Sequence, residues 1–283
     1  MDVEYTDLGS PRVVQLRSAT TGQVVEVLEE HDPDYQGGAL TLDGRYAYVA
    51  RSTGWIDQIA TATRAQQRLV RGQNPAVSPN GRFLAYNTGR SGETPVVRDL
   101  LTGVTRAIDL GRLRAGPDDS ITWLGGSATL VLAPQPTFIN SAAVTRPLGN
   151  CGDSQRLATC LIVVEHATSR RPAAHRVALP GPPGVTIKVA GVDSHANMLL
   201  LARGFPGGYS TLTRVVIRPA GARVIRTLSL GRRTPVAFSP TGQRIIYQTD
   251  TPRALWSATV GEQHLAHAHR LTVAGFWGAA GVW

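Results

Sequence analysis

The sequence predicts an all-β chain: a six-bladed β-propeller of four-stranded antiparallel blades, with one blade shared between the N- and C-terminal strands to close the ring. Three observations predict it. First, a phrase recurs: "LTLDGRYAYVA" from Leu40, "VSPNGRFLAY" from Val77 and "FSPTGQRIIY" from Phe238 each read as strand, turn, strand. Second, another phrase interleaves with it: "VQLRSATTG" from Val14, "VVRDLLTG" from Val96 and "VVIRPAG" from Val215 each read as a strand ending in a tight turn. Third, the two ends of the chain carry complementary fragments of one such unit. Helical periodicity is absent, which leaves the alternating, turn-punctuated pattern of strands.

In the first phrase the turn holds Asp-Gly, Asn-Gly or Thr-Gly. A two-residue hairpin turn needs positive φ, and Gly supplies it without steric cost. Pro79 and Pro240 preset the entry into two of these turns. Weaker copies are "ITWLGGSATLVLA" from Ile121 and "VAGVDSHANMLLLA" from Val189. The unit is therefore four strands, A to D, with short turns at A–B and C–D. Five complete units begin near Gly38, Asn74, Ser120, Val185 and Thr234, a spacing close to the roughly 40–45 residues of one propeller blade. The third is longer because residues 134–158 are inserted between its B and C strands. Residues 1–30 supply B, C and D strands, and residues 272–283 supply the missing A strand. Pairing the termini removes the open edges that invite aggregation. The whole chain, 1–283, reads as one monomeric domain.

Composition agrees with a globular chain: 283 residues, 42% of them hydrophobic. No stretch approaches the ~20 apolar residues of a membrane span. The start, "MDVEYTDLG", lacks the basic-then-apolar layout of a signal peptide. The net charge of +9 comes almost entirely from arginine, with Lys188 the one lysine. The arginines are spread along the chain, as in proteins of GC-rich genomes, and not clustered as in nucleic-acid binders. No nucleic-acid partner is expected.

The "SPNGRFLAY" and "FSPTGQRIIY" phrases, alternating with "VVRDLLTG", resemble the TolB-like and WD-repeat-like bacterial β-propellers. With its Arg-rich composition and split closing blade, the chain looks most like the extracytoplasmic propeller domains of actinobacterial membrane proteins. That resemblance implies the architecture and is nearly silent on activity, because propellers host hydrolases, lactonases, lectins and plain docking platforms. It departs from the pattern in two ways: the third and fourth A–B turns lack Ser-Pro-Asp-Gly, and no blade ends in Trp-Asp.

Cys151 and Cys160, in "GNCGDSQRLATC", are the two cysteines. A lone pair at short spacing at the end of an insertion predicts a disulfide, and closing so small a loop contributes about 2–3 kcal/mol. Two cysteines without a Cys-x-x-Cys pitch are half a zinc site at most. A bridge implies an oxidising compartment. The expectation is then a secreted protein, or the outer face of a membrane-anchored one, of which this chain is a fragment.

Catalytic motifs are absent: no Gly-x-Ser-x-Gly elbow, Walker loop or dinucleotide fingerprint occurs. "HDPDYQGG" from His31 begins like a calcium loop, but Gln36 replaces a ligand and Asp43 belongs to an A–B turn. In "HLAHAH", His267 and His269 fall on one face of a strand without a carboxylate, and read as a surface pair. No metal and no cofactor are expected. The working surface is expected on the B–C and D–A loops, where every long segment falls. This face collects Arg51, Arg71, Arg90, Arg112, Arg114, Arg203, Arg232, Arg233 and Arg253, with Tyr35, Trp55 and Tyr209. Arginine with aromatics is the composition of interface anchors. The expected function is non-enzymatic binding of an anionic protein segment or cell-envelope polymer. The alternative is a hydrolase or lyase acting on a small molecule or saccharide at the central channel.

Overall fold

The computed structural model describes residues 2–6, 14–18, 21, 23–29, 35–89, 94–111, 113, 120–124, 127–133, 159–179, 186–191, 198–204, 209–218, 221–239, 243–250, 253–271 and 276–280. Their strands, numbered along the chain, form six four-stranded antiparallel sheets. The first contains β1 (Asp2–Thr6), β2 (Val14–Arg17) and β3 (Val24–Glu29), completed by β24 (Phe276–Ala280). Next come β4 (Tyr35–Leu40), β5 (Tyr46–Arg51), β6 (Trp55–Ala60) and β7 (Gln66–Arg71). The third sheet is β8 (Gln73–Val77), β9 (Phe83–Thr88), β10 (Thr94–Asp99) and β11 (Thr105–Ala107). The fourth is β12 (Ser120–Leu124), β13 (Thr129–Ala133), β14 (Thr159–Glu165) and β15 (Ala173–Leu179). The fifth is β16 (Thr186–Gly191), β17 (Met198–Gly204), β18 (Ser210–Arg218) and β19 (Gly221–Gly231). The last is β20 (Arg233–Phe238), β21 (Arg244–Asp250), β22 (Arg253–Val260) and β23 (Leu265–Arg270).

The A strands make the ring. β4 lies against β8, β8 against β12, β12 against β16, β16 against β20, β20 against β24, and β24 returns to β4. The expected closure is present: β24 pairs antiparallel with β1, Val3 opposite Ala280 and Tyr5 opposite Gly278, so the termini share a sheet. The starts of the five full units match the starts of β4, β8, β12, β16 and β20 to within three residues. The insertion 134–158 lies outside the described residues.

The core lies between adjacent sheets, as sheet-on-sheet packing requires. Val14, Leu16 and Leu28 of the closing blade pack on Leu40, Ala47, Val49 and Ile59. Tyr48 and Ile56 pack on Leu84, Tyr86 and Val96 of the next blade. Burial pushes the Tyr48 phenol up to about 12, while Gln58 Nε2 donates to its oxygen at 2.8 Å. Side-chain bonds tie blades as well: Trp123 Nε1 donates to the Ala76 carbonyl at 3.0 Å, and Arg64 Nε to Glu26 Oε1 at 2.8 Å.

The recurrent phrase folds differently from the expected two-residue turn. Gly44 N donates to Thr41 O at 2.8 Å and Gly81 N to Ser78 O at 2.8 Å, so Gly ends a β-turn with φ of 71° and 70°. Four residues separate Thr41 from Tyr46, which re-pair through Thr41 N to Tyr46 O at 2.9 Å. The residue that fixes the loop is the one before the Leu or Pro. Ser78 Oγ donates to Asn80 Oδ1 at 2.7 Å and accepts from Phe83 N at 2.9 Å. Thr41 repeats this with Asp43 and Tyr46, and Ser239 accepts from Arg244 N at 3.0 Å. In the first two copies a Ser or Thr hydroxyl and an Asx side chain together satisfy the loop's backbone donors, and the third shares the hydroxyl contact.

Candidate binding face

Register puts Tyr35, Arg51, Trp55, Arg71, Arg203 and Arg253 at one end of their blades. In the first full blade Tyr35 pairs with Arg51, and Trp55 with Arg71, at the B–C and D–A end. Arg203 pairs with Thr211, and Arg253 with Asp250, at the same end of their blades. The side chains of Tyr35, Arg203 and Arg253, and the whole of Arg90, Arg112 and Arg114, lie outside the described set.

Trp55 is the centre of one cluster. The guanidinium carbons of Arg68 and Arg71 each lie 5.0 Å from its ring centroid. Such contacts contribute about 0.5–1 kcal/mol at exposed sites and hold both cations over a fixed aromatic plate. Arg68 and Arg71 are three apart, which on a regular strand puts them on opposite faces. A register shift between Ile56 and Asp57 removes one residue of β7 from the alternation and brings both to the Trp55 side. Sequence reading found Arg71 and missed Arg68, because the bulge has no sequence signal of its own here.

Arg51 is a correction. It is 6% exposed and so is Asp57; Arg51 Nε donates to Asp57 Oδ2 at 2.9 Å, and Gln66 Nε2 donates to the same oxygen at 2.9 Å. Its charge is spent inside the blade, so Arg51 is a strut beneath the face and not a contact on it.

A second cluster lies on the fifth sheet. Tyr209 is 53% exposed, and the Arg232 guanidinium sits 5.8 Å from its ring. Next to it Arg233 lies 5.6 Å from the Tyr247 ring and donates to the Leu230 carbonyl at 3.4 Å. Burial pushes the buried Tyr247 phenol up, and the Arg233 charge opposes that rise.

At the opposite end, two described turns satisfy their own polar groups. Asp99 Oδ1 accepts from Leu101 N at 2.9 Å and Thr102 N at 3.2 Å, while Oδ2 accepts from Arg82 Nη2 at 2.8 Å. The Arg82 bond, then the two amides, hold the Asp99 carboxyl below the usual carboxylate range. The Thr41 hydroxyl and the Arg45 amide do the same for Asp43. Asp43 belongs to the A–B loop, where it accepts from the Thr41 hydroxyl, and His31–Asp34 lie outside the described residues.

Cys160 lies on β14 opposite Ala178, and Cys151 falls outside the described residues, as does any statement of their pairing. His267 has φ of 50°, which breaks the alternation that would align it with His269. No group of three or more His, Cys, Asp or Glu side chains converges among the described residues. No helix among them is long and apolar enough to cross a membrane.

No family model and no curated protein matches the chain. Solved structures do. TolB from Acinetobacter baumannii matches with a TM-score of 0.63 at 13% identity over 95% of this chain, which spans 65% of TolB's length. The Cps50 (Swd1) β-propeller domain of Myceliophteria thermophila matches at 0.58 and 13% identity, over 99% of this chain and 86% of that one. An oligogalacturonate lyase in complex with manganese matches at 0.56 and 11% identity, over 92% and 70%. One of these is an enzyme by name, so the likeness bears on the fold and leaves activity to the site. With six four-stranded sheets closed through its termini, the chain has the TolB-like, WD-repeat-like β-propeller fold.

Proposed function

We propose that this propeller is a non-enzymatic binding module of the extracytoplasmic space, docking an anionic protein segment or cell-envelope polymer on its B–C and D–A face. One observation carries the reading: Trp55 lies under the guanidiniums of both Arg68 and Arg71 at that end of the blade. A guanidinium held over an aromatic plate is oriented in advance and offers a forked donor set to carboxylate or phosphate. Tyr209 and Arg232 repeat the pairing on another blade. On the turn face, by contrast, the described acids Asp43 and Asp99 pair with Arg45 and Arg82 of the same end. The A strands that line a channel read "YQGGAL", "QNPAV", "SITWL", "TIKVAG", "RTPVAF" and "FWGAA", and none contains Asp, Glu or His. General acid–base chemistry at the channel needs such groups converging from several strands.

The test is charge reversal. Arg112, Arg114, Arg232 and Arg233 are changed to Glu, and binding to an immobilised envelope extract is compared with wild type. Leu42 and Leu101, exposed at the turn end, are changed to Glu as the control set. Loss of at least tenfold in the first set alone supports the reading. Retention there with loss in the control set would sink it. The extracytoplasmic setting rests on the cysteine pair, and a thiol titration of the unfolded, unreduced protein checks it separately. Two free thiols would remove that part.

A further inference from the structure

Away from this face, the outer rim of the fifth sheet carries a further cluster of arginines. β19 is its outermost strand and runs Gly221–Gly231, eleven residues, where the other outermost strands have three to seven. Among the described residues no strand pairs with its free edge. Arg214 of β18 stands directly opposite Arg226 of β19, Val216 opposite Arg223, and Arg218 opposite Gly221. The ladder slips between Arg214 and Val215, leaving Ile225 without an opposite residue and 49% exposed. That bulge puts Arg223 and Arg226, three apart, on the same side of the sheet as Arg214 and Arg218.

Four arginines thus share one face of one hairpin, and none of them makes an ion pair with an acid among the described residues. Like charges directly opposite across a sheet repel, with Cβ atoms about 4.5–5.5 Å apart. In the first full blade the comparable cluster of Arg51, Arg68 and Arg71 has Asp57 beside it. Here no acid among the described residues stands in an ion pair with the arginines. An open edge also carries a row of unpaired backbone donors and acceptors. The arginines repel a second copy of this basic edge and favour an acidic one, which is how a repulsive element confers partner choice.

We propose that β19 receives an acidic extended segment of a partner protein as a fifth strand of this blade, its backbone pairing with the free edge and its alternate carboxylates meeting Arg223 and Arg226. Strand addition divides the recognition in this way: backbone bonds hold the segment, and side chains at every second position select it.

The test uses the whole chain and a fluorescent ten-residue peptide alternating Glu with Thr and Val, at low salt. Three comparison probes are the Lys-for-Glu peptide, the Glu peptide with two central prolines, and polyphosphate. Binding is read by anisotropy, and amide exchange reports on β19. The account expects the Glu peptide to bind and to slow exchange along β19. The proline peptide and polyphosphate should bind at least tenfold more weakly. The Arg223→Glu/Arg226→Glu variant should lose the Glu peptide by at least tenfold and take the Lys peptide instead. Because Glu at 226 faces Arg214, the fold should survive that change, and Arg223→Gln/Arg226→Gln gives a neutral check on the loss. Three results would overturn the proposal: no binding of the Glu peptide, equal binding of the proline peptide or polyphosphate, or binding indifferent to both variants. The second of these would assign the patch to polyanions by charge alone.

Discussion

Truncating Arg51 to Ala is the sharpest perturbation the blade interior offers. The change leaves Asp57, 6% exposed, without the Nε donor that lies 2.9 Å from its Oδ2. Gln66 Nε2, at 2.9 Å, then remains as a neutral donor to that carboxylate. Breaking one side of a buried pair typically costs about 3–5 kcal/mol, because the surviving charge is desolvated and uncompensated. At about 2–4 °C per kcal/mol for domains of this size class, the melting temperature should fall by on the order of 10 °C. Replacing both partners with apolar residues, Arg51→Met with Asp57→Leu, removes the stranded charge and should recover most of the loss. Calorimetry and urea unfolding on wild type, single and double variants measure both effects. If Arg51→Ala costs under 1 kcal/mol, the pair is solvated and Arg51 returns to the binding face. If the double variant is as unstable as the single one, the loss comes from packing and the charge argument fails.

Deleting residues 274–283 removes β24, which pairs with β1 and touches β20 and β4. Thermal unfolding should then shift down by on the order of 10 °C or lose cooperativity, since the ring regains open edges; a parent-like melt contradicts closure. Ser78→Ala leaves the Phe83 N–H and the Asn80 Oδ1 without their 2.9 and 2.7 Å partners and should cost about 1–3 kcal/mol in urea unfolding. A cost near zero would mean that the hydroxyl does not hold the loop. The Asp99 carboxyl titrates lower when folded than its ordinary 3.8, chiefly through Arg82. Its stabilisation is therefore complete above the unfolded value and is lost as pH falls below about 3.8. Arg82→Ala should flatten the acid limb of the stability–pH curve there, and an unchanged limb would remove Arg82 as the cause.

How far the sequence reveals this molecule depends on which forces leave a local mark. The first blade starts are legible because their A–B loops hold Gly44 or Gly81 in the left-handed region with Asp43 or Asn80 beside it, at blade spacing. Closure is legible because "DVEYT" and "FWGAA" are leftover strands that fit one blade. The organising role of the Thr41 and Ser78 hydroxyls is less legible, although they recur in the same phrase, because Pro and Gly are the stronger local turn signals. The fate of Arg51 was hidden: an arginine at a strand end reads as exposed, and only the cross-strand return of β6 sets Asp57 beside it. Arg68, Arg223 and Arg226 were hidden for a shared reason. A bulge reverses the inside–outside alternation, and without it each pair would be split between two faces.

On the proposed function, the partner sits on the B–C and D–A face. A photo-reactive phenylalanine analogue placed singly at Trp55, Tyr209, Leu42 and Leu101 tests it most directly. The first two positions lie at the loop end and the last two at the turn end. After irradiation with an envelope extract of the source organism, cross-linked species should form from positions 55 and 209 and be competed by unmodified protein. Products from positions 42 and 101, with none from 55 and 209, would contradict the assignment.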